Sequence, residues 1–97
     1  MEKLSDNQVK EKLQELNIIS EVEWQLNGDS IEKEFLFEDF IHAFAFMTRV
    51  AIVVEKYNHH PEWTNIFNRV IITLRTHDVH GLSQLDFDLA NEIEHLI

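Results

Sequence analysis

The chain has 97 residues, no cysteine, and a formal charge of −10 from 18 acidic and 8 basic residues. That length supports one hydrophobic core, so a single domain over residues 1–97 is expected, held by apolar burial without disulfides or thiolate metal sites. The acidic balance disfavours direct nucleic-acid binding, no apolar run approaches the roughly 20 residues that span a bilayer, and the polar opening Met1-Glu-Lys-Leu-Ser-Asp is unlike a secretory signal, so a cytoplasmic location is expected.

Ser5 with Gln8 fits a capping box, and Val9, Leu13 and Leu16 share one face, which predicts a helix from Ser5 to about Leu16. Val22, Trp24 and Leu26 then alternate with polar residues, as do Ile31, Lys33, Phe35 and Phe37. Asn27-Gly28 between the two runs predicts a tight hairpin. From about Glu38 the period changes, and Phe40, Ala43, Phe44, Met47, Val50, Ala51 and Val54 predict a long helix with one broad apolar face. Pro61 ends that pattern and pushes His60 towards extended geometry. Trp63–Phe67 and Val70–Arg75 predict a second hairpin turning near Asn68. Ser83 with Asp86 opens a last helix whose Leu85, Leu89, Ile93 and Leu96 face inward. The order α-β-β-α-β-β-α predicts an α+β fold of two layers: a four-stranded antiparallel sheet with three helices on one face.

Six histidines are many for this length, and four fall between His59 and His80. His59 and His60 precede Pro61 in the loop entering the third strand, whereas His77 follows the fourth. Because antiparallel pairing returns the end of the fourth strand beside the start of the third, the three imidazoles are expected to converge in one pocket. Zinc binding fits poorly, since sequence neighbours rarely both reach one metal and no helical HExxH spacing is present. A nucleophilic triad fits less well, because no serine stands in a Gly-flanked elbow. General acid–base work by imidazoles titrating near neutrality is the remaining chemical use, alongside the plain alternative that the rings are structural or simply exposed. His42, His80 and His95 are read in that plain way. Trp63 and Phe67 are expected in the core or a pocket wall, and Asp86 in the first turn of the last helix.

The stretch Glu55-Lys56-x-x-His59-His60-Pro61-Glu62-Trp63, then Thr73-Leu74-x-Thr76-His77, then Gly81-Leu82-Ser83-x-x-Asp86 with Leu89-Ala90, resembles the pterin-4a-carbinolamine dehydratases. Upstream, Phe44-Ala-Phe-Met-Thr-Arg-Val-Ala51 is similar to the long helix of the same family, and the resemblance runs from about Trp24 to the C-terminus. It implies dehydration of a 4a-hydroxytetrahydropterin to quinonoid dihydropterin, without metal or cofactor. Carried over by position, it makes Asn58, His59, His60 and Pro61 one wall of a pterin site and Arg75, Thr76 and His77 the other, with Glu55 and Asp86 close by. His59, His60 and His77 are the implied catalytic group; a mechanism that fits them would set His59 and His77 on either side of the reacting carbon, with His60 mainly holding the substrate. Arg75 stands where many members have a small residue. The resemblance also implies an alternative, a non-catalytic dimerisation or transcription-cofactor type of protein-binding module. Free sheet edges and helix surfaces suggest a homodimer or homotetramer.

Overall fold

A computed structural model describes the whole chain, Met1–Ile97. Its elements follow in the order α1 (Asp6–Ile18), β1 (Gln25–Asn27), β2 (Ser30–Leu36), α2 (Phe40–Tyr57), β3 (Glu62–Ile66), β4 (Arg69–Leu74), a 3-10 turn (His77–Val79) and α3 (Gln84–Glu94). The four strands form one antiparallel sheet ordered β1-β2-β4-β3. The α+β architecture with three helices and four strands is therefore the one that periodicity and turn chemistry predicted.

The period-2 alternation acts most fully in the two central strands. Ile31, Lys33 and Phe35 of β2 and Val70, Ile72 and Leu74 of β4 are buried on the face that meets the helices, while Glu34 and Leu36 of β2 are exposed on the other. Phe35 and Phe46 stack at 4.9 Å between centroids, Phe37 and Phe46 at the same distance, and Trp24 meets Phe35 edge-on at 5.8 Å. Such pairs add about 0.5–1.5 kcal/mol each beyond area burial.

Three details depart from expectation. The first hairpin turns on Gly28-Asp29, since Asn27 pairs with Ser30. Gly28 takes φ +63, which glycine adopts without strain at the first turn position. Second, β1 is only three residues long; Trp24 is buried, but Val22 and Leu26 are exposed. Beyond Glu32, the outer side of β2 consequently has no strand neighbour, and a hollow of about 450 Å³ lies there, lined in part by Glu21, Val22, Glu23, Phe35 and Ile97. Third, α2 turns Phe46 rather than Phe44 into the core, leaving Phe40, Ile41, Phe44 and Ile52 exposed. A helix apolar on two sides hides its phase, because the 3.6-residue period cannot say which phenylalanine points inward.

Helix ends are set by side chains. Ser5 and Gln8 form the expected capping box. Asp39 caps α2 by accepting from the His42 backbone N–H at 2.9 Å, and its carboxylate also meets the His42 ring at 2.7 Å. These bonds hold the Asp39 carboxyl below its usual range and raise the imidazole above its own.

One ion pair lies inside the molecule. Lys33 points from β2 into the core side, where its Nζ lies 2.5 Å from Glu94 Oε2 and 4.8 Å from the centre of the Phe35 ring. Trp24 Nε1 donates to the same glutamate oxygen at 2.9 Å. Both charged side chains are almost wholly buried. Truncating one partner of a buried pair strands the other charge, so Lys33→Ala is expected to lower the unfolding free energy by about 3–5 kcal/mol. The double change Lys33→Met with Glu94→Gln, which removes both charges and keeps an acceptor for Trp24, should recover most of that loss in urea titrations.

Candidate active site

The loop between α2 and β3 is shaped by a Schellman ending. Asn58 adopts the left-handed conformation (φ 51, ψ 41), the His59 N–H donates to the Val54 carbonyl, and the Asn58 N–H donates to that of Glu55. Asparagine tolerates this conformation better than most residues, so the helix stops here and the chain leaves towards β3. His59 and His60 then diverge, as neighbours on extended backbone do. The His59 ring turns inward, with 12% of its side chain exposed, and its Nε2 lies 2.6 Å from Asp86 Oδ1. The His60 ring stays outside and its Nε2 meets Glu55 Oε1 at 2.5 Å, one turn back on α2.

Across the sheet, β3 and β4 pair from Ile66↔Arg69 to Glu62↔Thr73. Continuing that register past the last pair sets His59 opposite Thr76. The Thr76 N–H donates to the Gly81 carbonyl at 2.8 Å, which pinches residues 77–80 into a tight loop. Within it His80 takes the left-handed conformation at φ 55. His77, at the start of this loop, is mostly exposed; its Nε2 stands 3.8 Å from Glu62 Oε1 and its Nδ1 3.2 Å from an Arg75 terminal nitrogen.

The two halves are joined through Asp86, which has no exposed surface. One carboxylate oxygen faces His59. The other accepts from the Thr76 hydroxyl at 2.7 Å and from the Ser83 backbone N–H at 2.9 Å. Because the Thr76 proton goes to the carboxylate, the Ser83 hydroxyl, 2.7 Å from Thr76 Oγ1, is the donor in that pair. A carboxylate only accepts, so a neutral His59 places its proton on Nε2 and keeps the Nδ1 lone pair free. The placement of Asp86 in the first turn of the last helix is as expected from the sequence. Its contact with His59, 27 residues upstream, carries no sequence signal beyond the residue types.

The hairpin return thus brings His59, His60 and His77 to one end of the sheet, but with the His59 ring turned inward and the His60 and His77 rings exposed. The four main hollows of the surface are lined by other residues. The cause is local: His59 is drawn inward by Asp86, and the other two rings are held outside by Glu55 and Arg75. Of the remaining predicted residues, Asn58 ends α2, Thr76 is buried on Asp86, and Pro61 follows the histidines into β3. Arg75 reaches sideways to Asp29. Trp63 lies at the sheet edge, 37% exposed, and Phe67 stands exposed in a left-handed turn position (φ 52) rather than in the core. No group of three or more histidine, aspartate and glutamate side chains is arranged to hold a metal ion.

The family described as Pterin 4 alpha carbinolamine dehydratase matches residues 2–96. A protein of Prochlorococcus marinus (strain MIT 9312) named "Putative pterin-4-alpha-carbinolamine dehydratase" is 51% identical over 83 residues, which is 86% of this chain and 85% of that protein. Its namesake in Rhizobium johnstonii is 49% identical over 96 residues, covering 97% of this chain and 90% of that one. Among solved structures, the "transcriptional coactivator/pterin dehydratase" of Brucella melitensis superposes with a TM-score of 0.87 at 38% identity, over 97% of both chains.

Asp86 is the point at which this arrangement is most easily broken. Asp86→Ala leaves the Thr76 hydroxyl, the Ser83 N–H and His59 without their acceptor, and should cost about 1–3 kcal/mol in urea unfolding. Asp86→Asn can keep its oxygen on Thr76 and Ser83 while turning an amide donor to His59. The ring must then accept at Nε2, so nitrogen-15 spectra should show the His59 proton moved to Nδ1.

Proposed function

The chain belongs to the pterin-4a-carbinolamine dehydratase family, and from that premise we propose that it dehydrates a 4a-hydroxytetrahydropterin to quinonoid dihydropterin and water. The observation that carries the reading is the hydrogen-bonded line from His59 through Asp86 to Thr76, the residue that precedes His77. It joins the two segments richest in the family's histidines.

The substrate is a hemiaminal with a hydroxyl on carbon 4a beside nitrogen N5. The N5 lone pair forms the C4a=N5 bond as the C4a–O pair leaves with oxygen. Hydroxide leaves poorly, so a proton donated to that oxygen removes most of the barrier, and an acceptor must take the N5 proton. General acid–base help of this kind contributes about 10²–10⁴-fold, and positioning adds to it. In this reading His59 and His77 flank carbon 4a, and His60, held by Glu55, grips the pterin. Asn58, Pro61, Thr76 and the Arg75 backbone complete the walls. Asp86, fully buried, acts on the substrate through His59. No metal or cofactor is required, because every step is a proton transfer or a bond shift within the substrate.

The assay is dehydration of chemically generated carbinolamine. His59→Ala and His77→Ala should each lower turnover within that 10²–10⁴-fold range. Wild-type rates in both variants would defeat the assignment. A protein that works only as a binding module would keep its function in both.

Self-association belongs to the same reading. Ile41, Phe44 and Ile52 lie within one exposed stripe of α2, with Phe40 at its start. An apolar stripe of this length favours a helix from a second copy. The chain is 11.5 kDa, and sedimentation at micromolar concentration should give a dimer or tetramer. Ile41→Glu with Phe44→Glu should shift it towards the monomer; a wild-type chain that sediments only as a monomer would exclude the association.

A further inference from the structure

The groups behind His59 and His77 have opposite hydrogen-bonding character, and the one behind His77 is the Arg75 side chain with Asp29, neither of which the dehydration reading uses. Arg75 reaches from the end of β4 with its guanidinium divided between two neighbours. One terminal nitrogen lies 3.3 and 3.4 Å from the two carboxylate oxygens of Asp29, in the turn between β1 and β2. The other lies 3.2 Å from His77 Nδ1. The Arg75 Nε is buried without a partner, so the guanidinium is held through its two ends.

We propose that Asp29 and Arg75 are positioning residues that hold His77 as a neutral imidazole with its proton on Nε2, making it a fixed hydrogen-bond donor and leaving proton exchange to His59. The inference rests on the dehydration reading for its catalytic meaning, but not for its chemistry. A guanidinium has only donors and does not deprotonate. A hydrogen bond from it to Nδ1 needs the lone pair there, which an imidazolium lacks. The neutral ring therefore carries its proton on Nε2. The other charged groups around the ring do not reverse this. Glu62 Oε1, 3.8 Å from Nε2, is beyond direct hydrogen bonding and draws an N–H towards the open side. Asp78 is the next residue along the 3-10 turn, and Asp29 is occupied by Arg75.

His59 is placed in the opposite way. Asp86 accepts from Nε2–H whether the ring is neutral or charged, so Nδ1 alone gains and loses a proton. The reaction then balances on one exchanging ring. The His59 imidazolium gives its Nδ1 proton to the hydroxyl as the C4a–O bond breaks, releasing water. The N5 lone pair forms the C4a=N5 bond. The N5 proton then passes to Nδ1, which restores the imidazolium. Neutral His77 contributes a hydrogen bond from Nε2–H to the departing oxygen, as neutral imidazoles do at other polarised oxygens.

The test is long-range proton–nitrogen-15 correlation of the histidine rings at about pH 8, where a free imidazole is neutral, on the full chain without substrate. The wild-type His77 ring should show one tautomer, protonated at Nε2, and Arg75→Ser should give averaged nitrogen shifts while the His59 signals stay in place. Asp29→Ala, which approaches the guanidinium from its other end and leaves β4 untouched, should move the same signals the same way. Arg75→Lys should restore part of the wild-type pattern. A wild-type His77 protonated on Nδ1, or a tautomer unchanged by both Arg75→Ser and Asp29→Ala, would overturn the proposal. Dehydration by Arg75→Ser should fall by on the order of tenfold, less than the loss expected for deleting an imidazole, and an unchanged rate would remove the positioning role. Because the tautomer is read in the free protein, a failure of the dehydration reading leaves it standing, and the reverse also holds.

Discussion

A carboxylate with no exposed surface has to find donors, and that requirement at Asp86 organises the end of the sheet where the histidines gather. Its three partners come from three places: the loop before β3, the end of β4, and the residue that starts α3. Each bond satisfies a group that would otherwise be buried or left over at a helix end. One side chain thus fixes the entry to β3, the exit from β4 and the first turn of α3. The ordering of His59 follows from it, since the ring is held at Nε2 and has little freedom to turn.

The fold was legible because its signals are local. Asn27-Gly28 announced a hairpin, although glycine's left-handed conformation moved the turn one residue on, to Gly28-Asp29. The capping pair Ser5 and Gln8 gave the start of α1. Alternation placed Lys33 with Ile31 and Phe35 on the inner face, an odd position for a lysine that only Glu94, 61 residues later, explains. The α2 phase was not legible, because Phe44 and Phe46 are equally apolar and burial is decided by what packs opposite.

The site was legible to the extent that topology determines it. Antiparallel return alone puts the segment after β4 beside the segment before β3, and the register confirms that adjacency. Which way each ring turns was not legible. The inward turn of His59 depends on Asp86, the outward placement of His60 on Glu55, and the contact of His77 on an arginine held by an aspartate from another turn. These pairings join residues 27, 5, 46 and 2 positions apart, and no periodic pattern encodes them.

The shortness of β1 has its own consequence. A strand with bare amides and carbonyls on its outer side is a template for another strand, and β2 offers one alongside an apolar hollow. Glu21, Glu23, Glu32 and Glu34 crowd this edge. Like charges on two such edges repel, so the glutamates act as gatekeepers against runaway sheet growth. That guard works through long-range Coulomb forces, which added salt screens over about 10 Å at 0.1 M. The guard at this edge of the sheet is accordingly expected to weaken as ionic strength rises, independently of anything the histidines do.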